Sequence, residues 1–370
     1  MGSAALYHMS KRGLKVLGLE QFSVAHDKGS SHGLSRIIRL AYHEDASYVP
    51  LLRRAFALWR ELEAETDQEL LTMTGCINTS LPTKDSVFDN CRLSAEEHGL
   101  QHEVLTPEQV SKRFPGYRLP PGFKALYQRE GGILAPERCV AAHAAAAAAR
   151  GAVIRERQAA TAWRVDEASG NVLVTTERGT YRGRRLVATA GAWIPRLVPQ
   201  LQALCKVERQ VVAWFGDAHP AFSAEAFPVF VLHDEELGYY YGFPTHGNPG
   251  LKIGKFNHLQ EEVDPDRQSR EITPRDEEVM RAAVAKFFPQ ANGEMRHACV
   301  CVFTNTPDSH FIIDKHPEHP QVVVCSACSG HGFKFASVIG ECLADLAQSG
   351  TTEHDISLHR LSRFLPRSNL

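Results

Sequence analysis

The sequence has 370 residues, of which 43% are hydrophobic, and it carries a formal net charge of −2. A chain of this length can bury a sizeable core and is expected to form two domains. Its near-neutral charge argues against nucleic acid or an anionic membrane as the main partner, and no apolar run approaches the roughly 20 residues that span a bilayer. The N-terminus, MGSAALYHMSKRG, lacks the basic and apolar segments of a secretory signal, and nine cysteines, an odd and sparse number, favour a reducing compartment.

The first predicted elements are a helix and a strand. Gly2–Lys11 has helical composition, and Gly13 follows as a typical helix stop. The apolar run 14–19 predicts a strand with Glu20 at its end, which is typical of the second half of a dinucleotide-binding βαβ unit. Only the third glycine of a G-x-G-x-x-G pattern, Gly2, could be present. The first half of the unit is therefore expected to be missing.

A loop of small and polar residues over 29–35 leads to two arginines. Arg36 and Arg39 are three residues apart and would share one face if this segment were a helix. Two fixed guanidinium groups suit a carboxylate or a ring oxygen, although an exposed basic turn has the same pattern. The spacing of apolar residues over 48–66 predicts an amphipathic helix directly afterwards.

The middle of the chain reads as shorter elements, interrupted by proline and glycine pairs, and part of it is interpreted as an insertion that belongs to a second domain. Local patterns predict, in order, a strand over 74–80, helices over 85–99, 106–116 and 136–150, alternating strands over 153–189 with a hairpin at 177–179, a strand, turn and helix around Gly191, and a strand over 209–214.

A lysine flanked by apolar residues stands out in the segment 238–258. Strand alternation puts Lys252 on the side opposite to Leu251 and Ile253, so it could point into a cavity. A lysine on the wet face of an antiparallel sheet explains the pattern equally well.

The stretch 299–337 combines two apolar runs, at 311–313 and 322–324, with a glycine turn and a predicted helix over 333–347. A strand, a turn and a helix start form a site where backbone N–H groups can face an anion or an electron-rich ring. Lys334 in the first helical turn opposes the helix dipole, which favours a ligand for it over a solvated surface position.

Four cysteines in this stretch could bind structural zinc, since Cys299 and Cys301 form C-x-C and Cys325 and Cys328 form C-x-x-C. The run VVVCSACS lacks a knuckle-like turn, however, and strand alternation puts Cys325 and Cys328 on opposite faces. We therefore expect no metal, and the general expectation for such cysteines is small buried hydrophobes.

The runs CVFTNTPDSHFIID (301–314) and SGHGFKFAS (329–337) resemble the monomeric sarcosine oxidase and N-methyltryptophan oxidase family. The resemblance spans almost the whole chain. It implies an α/β fold with a Rossmann-like FAD-binding domain and a second, antiparallel-sheet substrate domain. The expected division gives residues 1–69, 129–200 and 304–370 to the FAD-binding domain, and 70–128 and 201–303 to the substrate domain. Because the family has a further N-terminal strand in the centre of the parallel sheet, this chain is expected to fold or to bind flavin poorly.

The resemblance also implies roles for single residues. Arg39 and Lys334 would clamp the substrate carboxylate against the flavin, and Tyr241 would lie near the substrate. Hydride would pass from the substrate to the flavin, and the resulting imine would be hydrolysed. Lys252, aided by Arg36, would activate oxygen by stabilising negative charge.

Cys301 corresponds to the family cysteine that forms a thioether to the 8α-methyl of FAD. Phe256 and Phe303 depart from the histidine and tyrosine of relatives, which indicates an altered substrate pocket. Further contacts to FAD are expected from the loops and turns described above, at Gly2, Glu20, Ser31, His32, Arg36, Gly330, His331, Gly332 and Lys334.

The implied activity is FAD-dependent oxidation of sarcosine or another secondary amino acid by O₂, giving the amino acid, formaldehyde and hydrogen peroxide. N-methyl-L-tryptophan and pipecolate stay open as substrates, because NTPD and LSRF are typical of the tryptophan branch and TEHDIS of the sarcosine branch. A carrier-linked dehydrogenase of the same fold, and a flavin-free or zinc-stabilised binding module, also stay open. The protein is expected to be a cytoplasmic monomer without nucleic-acid or membrane partners, although Ser368-Asn369-Leu370 distantly resembles a peroxisomal address.

Overall fold

The computed structural model describes residues 1–84 and 86–364, so the C-terminal tripeptide of the peroxisomal prediction lies outside the described residues. Along this part of the chain the α-helices are separated by runs of one to five strands. The α-helices are α1 Gly2–Lys11, α2 Val49–Thr66, α3 Val87–Glu97, α4 Pro107–Arg113, α5 Pro136–Ala149, α6 Ile194–Leu197, α7 Pro274–Phe287 and α8 Ala336–Ser349. The strands are β1 Leu17–Leu19, β2 Arg36–Arg39, β3 Leu71–Met73, β4 Cys76–Ser80, β5 Glu103–Leu105, β6 Lys124–Gln128, β7 Gly131–Leu134, β8 Val153–Arg155, β9 Ala160–Val165, β10 Val172–Thr176, β11 Gly179–Gly183, β12 Leu186–Ala188, β13 Lys206–Phe215, β14 Val229–Asp234, β15 Gly238–Phe243, β16 Leu251–Lys255, β17 Met295–Asn305, β18 Ile312–Lys315 and β19 Val322–Ser326.

The largest sheet has eight strands in the order β17-β13-β16-β15-β14-β4-β6-β5. Its neighbours are antiparallel except β14 and β4, which run parallel. One face carries Ala213, Phe230 and Ile253 and packs on Met280 and Phe287 of α7 in a buried apolar core. Because side chains alternate along a strand, the residues between these point to the other face, where the cavity described below lies.

A second group of strands is parallel, as predicted for a nucleotide-binding fold. β1 pairs with β8, and β12 pairs with β19, which is followed on its other side by the antiparallel β18. Helices α1, α2, α5 and α8 share one buried core beside these strands. α1 and α8 approach closely at Gly340, where a Cβ atom would lie 2.6 Å from the Ala4 backbone carbonyl carbon. The predicted α/β class is confirmed.

The segment with the two arginines is a strand, not a helix. β2 pairs antiparallel with β7, which also pairs with β3, so Ile37 and Ile38 of β2 lie opposite Ile133 and Gly132. The β-branched pair between the arginines favours this extended form. Because side chains alternate along a strand, Arg36 and Arg39 point to opposite faces of β2, whereas in a helix they would share one face.

Other bounds differ at the ends of elements. β1 covers only the last three residues of the strand predicted over 14–19, and the predicted helix at 333 begins as a 3₁₀ turn, Phe333–Phe335, before α8. The predicted domain boundary at 303/304 falls inside β17. The domain division stays a prediction.

Within the described ranges, the structure contains neither a helix that is long and apolar enough to cross a membrane nor a cluster of three or more His, Cys, Asp or Glu side chains placed to hold a metal ion.

Candidate active site

A cavity of about 1770 Å³ collects most of the residues that the sequence singled out. It is bounded by the second face of the large sheet, by the parallel strands and by the glycine turn at 329–332. The predicted residues on its wall are Gly2, Glu20, Ser31, Arg36, Arg39, Tyr241, Cys301, Gly330, His331, Gly332 and Lys334. His32 and Lys252 are buried behind the wall.

Arg39 is buried at the cavity in an ion pair. Its Nη2 lies 2.7 Å and 3.0 Å from the two carboxylate oxygens of Glu44, and its Nη1 donates to the Ala41 carbonyl at 2.7 Å. The guanidinium also stacks 4.2 Å over the Tyr42 ring. Burial opposes the charge on Glu44, but Arg39 and His43 hold the pKa of Glu44 well below its usual range. Arg39 is thus a fixed cation with a partner already in place.

Lys334 lies on the same wall and is 5% exposed. Its Nζ donates to the His331 backbone carbonyl at 2.6 Å and to Tyr42 Oη at 3.1 Å. Burial lowers the pKa of Lys334 to about 7, with Arg39 adding to the effect and Glu44 opposing it. An incoming carboxylate would raise this pKa by supplying the missing negative charge.

Lys252 and Arg36 form a second basic centre. Lys252 Nζ donates to the carbonyl of Gly33 at 2.6 Å and to Ser35 Oγ at 2.8 Å, and it lies 4.6 Å from the centre of the Phe243 ring. Burial, with Arg36 adding to the effect, lowers the pKa of Lys252 to about 7. Arg36 itself donates to backbone carbonyls on the loop before β2, which hold its guanidinium at the cavity wall.

The register of the large sheet places three predicted residues on one face. Lys252 and Gly254 are two apart on β16, Gly254 pairs with Tyr241 of β15, and the ladder through β13 continues to Cys301 of β17. Residues directly opposite each other in a ladder point the same way. Burial raises the pKa of the Cys301 thiol to about 11, so it is a protonated thiol at neutral pH.

The far end of the cavity has the features of a nucleotide site. Glu20 follows β1, and its Oε1 accepts a hydrogen bond from the Phe22 amide at 2.8 Å. Gly2 begins α1, and a Cβ atom there would lie 2.8 Å from Thr189 Oγ1. A larger side chain would therefore crowd the wall at this point.

The glycine turn is fixed by close packing. Gly330 has φ +75°, and a Cβ atom there would lie 2.4 Å from the Phe256 ring and 2.6 Å from the Phe303 ring. The two rings are 5.4 Å apart and make this part of the cavity apolar.

The residues present fit FAD. The same cavity reaches a carboxylate suited to ribose hydroxyls at Glu20, a guanidinium at Arg36, a thiol at Cys301 and the backbone of the turn before Lys334. In addition, His32 Nε2 is buried near this region without a hydrogen-bond partner among the described residues. A cavity of this volume with a carboxylate at one end and cations at the other suits a dinucleotide.

Some functional neighbours were not predicted. Glu44 follows Arg39 in the sequence, but no spacing rule marks it as its partner. Tyr42, which joins Lys334 to His331, carried no signal either, because its contacts come from residues 289 and 292 positions away.

Comparisons with known proteins show which family the chain resembles. The FAD dependent oxidoreductase family matches residues 1–346. A monomeric sarcosine oxidase of Bacillus sp. (strain NS-129) is 39% identical over 368 residues, covering 98% of this chain and 94% of that protein. An N-methyl-L-tryptophan oxidase of Yersinia pestis (strain Pestoides F) is 34% identical over 365 residues, covering 98% and 96%. Among solved structures, glycine oxidase from Geobacillus kaustophilus shares the fold, with a TM-score of 0.81 at 20% identity over 99% of this chain and 96% of that chain.

Proposed function

This chain belongs to the FAD-dependent oxidoreductase family, among the relatives of monomeric sarcosine oxidase, and on that premise we propose that it oxidises N-methyl or other secondary amino acids with O₂. The products are the primary amino acid, formaldehyde and hydrogen peroxide when the substrate is N-methylated. One observation carries the proposal: Arg39 and Lys334, two buried basic side chains, both lie on the wall of a cavity that fits FAD.

Arg39 and Lys334 bind the substrate carboxylate. Arg39 offers a fixed guanidinium, and Lys334 has an amino group whose other partners are neutral. Two cations on one wall fix the position of the amino acid, so that its nitrogen and reacting carbon are held in one orientation. Tyr241, on the sheet face that lines the same cavity, limits the space around the amine.

FAD is the cofactor, and when bound it accepts the hydride of the substrate and passes the electrons to O₂. We propose that Glu20 holds its ribose, that Gly2, Ser31 and His32 complete the nucleotide end, and that the turn Gly330–Gly332 faces the ring. The sulfur of Cys301 would hold the cofactor covalently, as a thioether. This is supported by the place of Cys301 on the cavity wall beside Arg36.

Lys252 and Arg36 supply positive charge for the reduction of oxygen. Lys252 is 1% exposed, and its hydrogen bonds to the loop 33–35 fix its amino group next to Arg36. A preorganised cation in a water-poor site stabilises negative charge as it develops on oxygen. This favours an oxidase over a dehydrogenase of the same fold.

A second candidate is an oxidase of N-methyl-L-tryptophan or pipecolate. It is supported by the Phe256 and Phe303 rings, which make the substrate end of the cavity apolar. We further propose that the protein acts as a monomer in the cytoplasm, with a peroxisomal location as the alternative.

The test is a peroxide assay over a panel of N-methylated and cyclic secondary amino acids, with oxygen as sole acceptor. Peroxide formation is expected with at least one of them. Dye-linked turnover without peroxide would replace the oxidase with a dehydrogenase, and a colourless protein with no turnover would contradict the proposal. A yellow acid-precipitated pellet is expected if Cys301 is linked to the cofactor.

A further inference from the structure

Lys334 is a buried amino group whose hydrogen-bond partners are all neutral. Nζ donates to the His331 carbonyl and to Tyr42 Oη, and within the described part of the chain it makes no ion pair. Glu44, the carboxylate whose charge raises the pKa of Lys334, is already paired with Arg39. A buried ammonium without a counter-ion is costly, so this arrangement favours a neutral amine.

The hydrogen bonds behind Lys334 have a fixed direction. His331 Nε2 lies 2.9 Å from the Ser309 carbonyl oxygen, which can only accept, so Nε2 carries the proton. Burial lowers the pKa of His331 to about 3, so its ring is neutral and Nδ1 is an acceptor. Tyr42 Oη, 2.8 Å from Nδ1, therefore donates to His331. Its oxygen is left to accept from Lys334.

The two hydrogen-bond acceptors around Lys334 Nζ match in number the two N–H bonds of a neutral lysine amine. His331 O takes one and Tyr42 Oη takes the other. The remaining tetrahedral position on Nζ is then a lone pair, and Lys334 lies on the cavity wall, where a ligand can meet it. Tyr42 and His331 thus fix the orientation of the Lys334 amino group.

We propose that Lys334 enters the reaction as a neutral amine and takes the ammonium proton of the arriving amino acid. This rests on the proposed function. One N–H bond breaks on the substrate and one forms on Lys334, and no electrons change hands. The lysine becomes the cation that binds the substrate carboxylate beside Arg39. The substrate nitrogen gains the free electron pair that it needs before hydride can leave the neighbouring carbon.

The charges around Lys334 allow the transfer. Burial and Arg39 set the pKa of Lys334 to about 7 before the substrate binds, whereas an aliphatic ammonium titrates near ~10 in water. On binding, the substrate carboxylate raises the pKa of Lys334, and loss of water lowers that of the substrate ammonium. The titratable or charged groups that face Lys334 are Arg39 of β2, Tyr42, His43 and Glu44 of the following segment, Cys76 of β4, and His331 of the turn.

A first test uses the wild-type FAD-loaded protein and methoxyacetate, which has the carboxylate and shape of sarcosine but no amine. Calorimetry at pH 8 in two buffers of different ionisation enthalpy measures the protons taken up on binding. Because Lys334 must become charged without a substrate proton, uptake of about 0.9 proton is expected for a pKa near 7. Binding with no proton uptake would overturn the proposal.

The two buried lysines give a matched control, since burial lowers the pKa of both to about 7. Lys252→Met should keep the proton uptake, and Lys334→Met should abolish it. The opposite result would assign the proton to Lys252 and overturn the proposal.

A second test is the pH dependence of anaerobic flavin reduction by the substrate. In the wild type, the rate constant of flavin reduction divided by the substrate Kd should increase with pH, with an acidic limb centred near pH 7. In Lys334→Met and Lys334→Arg the centre of that limb should move to the ammonium pKa of the substrate, near ~10, since the free amine must then come from solution. Tyr42→Phe should instead move it to lower pH, because Lys334 loses an acceptor that stabilises its charged form. A uniform loss at every pH would mean that Lys334 only binds the carboxylate. If no amino acid reduces the wild-type flavin, the proposed function fails, while the proton-uptake result stands independently.

Discussion

Arg39 is predicted to supply the main electrostatic contribution to substrate binding. Because Arg39 also pairs with Glu44, its removal affects folding stability as well as ligand binding. In Arg39→Met alone, the Glu44 carboxylate loses both of its contacts to Nη2. Breaking a buried pair from one side costs about 3–5 kcal/mol of folding stability. The single variant would mix this cost with the loss of the ligand contact.

The clean comparison is Glu44→Gln with the double variant Glu44→Gln/Arg39→Met, because neither leaves an unpaired carboxylate. Glu44→Gln alone is expected to bind methoxyacetate more tightly than the wild type, since the ligand no longer shares the guanidinium. Removing Arg39 from that background should cost about 2–5 kcal/mol, which is about 30- to 4,000-fold in Kd.

The assay is titration of the FAD-loaded variants with methoxyacetate, followed by calorimetry or by the flavin spectrum. Thermal unfolding of both variants controls for stability. If the Kd values of the two variants agree within about threefold, the carboxylate binds elsewhere and the assignment of Arg39 is refuted.

Four further variants test other parts of the site and fold. Cys301→Ser should retain FAD but give a colourless acid-precipitated pellet; a pellet that stays yellow would contradict the thioether. Lys252→Met should still be reduced by substrate, whereas its reoxidation by O₂ should slow by about 10²–10³-fold in stopped-flow measurements, and unchanged reoxidation would exclude Lys252. Phe256→His should change the ratio of kcat/KM for N-methyltryptophan and sarcosine at least about tenfold toward sarcosine, and a constant ratio would remove Phe256 from the pocket. Arg209→Met should lose about 3–5 kcal/mol of unfolding free energy at pH 7, because Asp276 is fully buried and paired with it. Since the pKa of Asp276 is lowered by Arg209, that contribution should be present above about pH 4 and be lost as the pH falls; a pH-independent difference between variant and wild type would contradict it.

Sequence patterns predicted correctly those elements that neighbouring residues determine. α1 has the predicted bounds, and α4 follows Thr106 with the capping box formed by Thr106 and Gln109. The hairpin at 177–179 joins β10 and β11 as expected. The segment at Arg36 was harder, because a spacing of three suits a helix while the isoleucine pair favours a strand, and only pairing with β7 decides between them.

The site could be predicted in part for the same reason. The residues on the wall were recognised by family motifs, but their partners come from distant segments. Lys252 is held by Gly33, 219 positions away, and Lys334 by Tyr42, 292 positions away. No pattern in the sequence indicates that Lys252 lies behind the cavity wall, or that the partners of Lys334 are neutral, because both depend on how the large sheet packs on the loop 29–45.

Arg39 and Lys334 are expected to bind the carboxylate of an amino acid together, beside FAD. A crystal structure of the FAD-loaded protein with methoxyacetate tests it most directly. The expected result is one carboxylate within hydrogen-bonding distance, about 2.7–3.2 Å, of both the Arg39 guanidinium and Lys334 Nζ. A ligand whose carboxylate contacts neither side chain would contradict it.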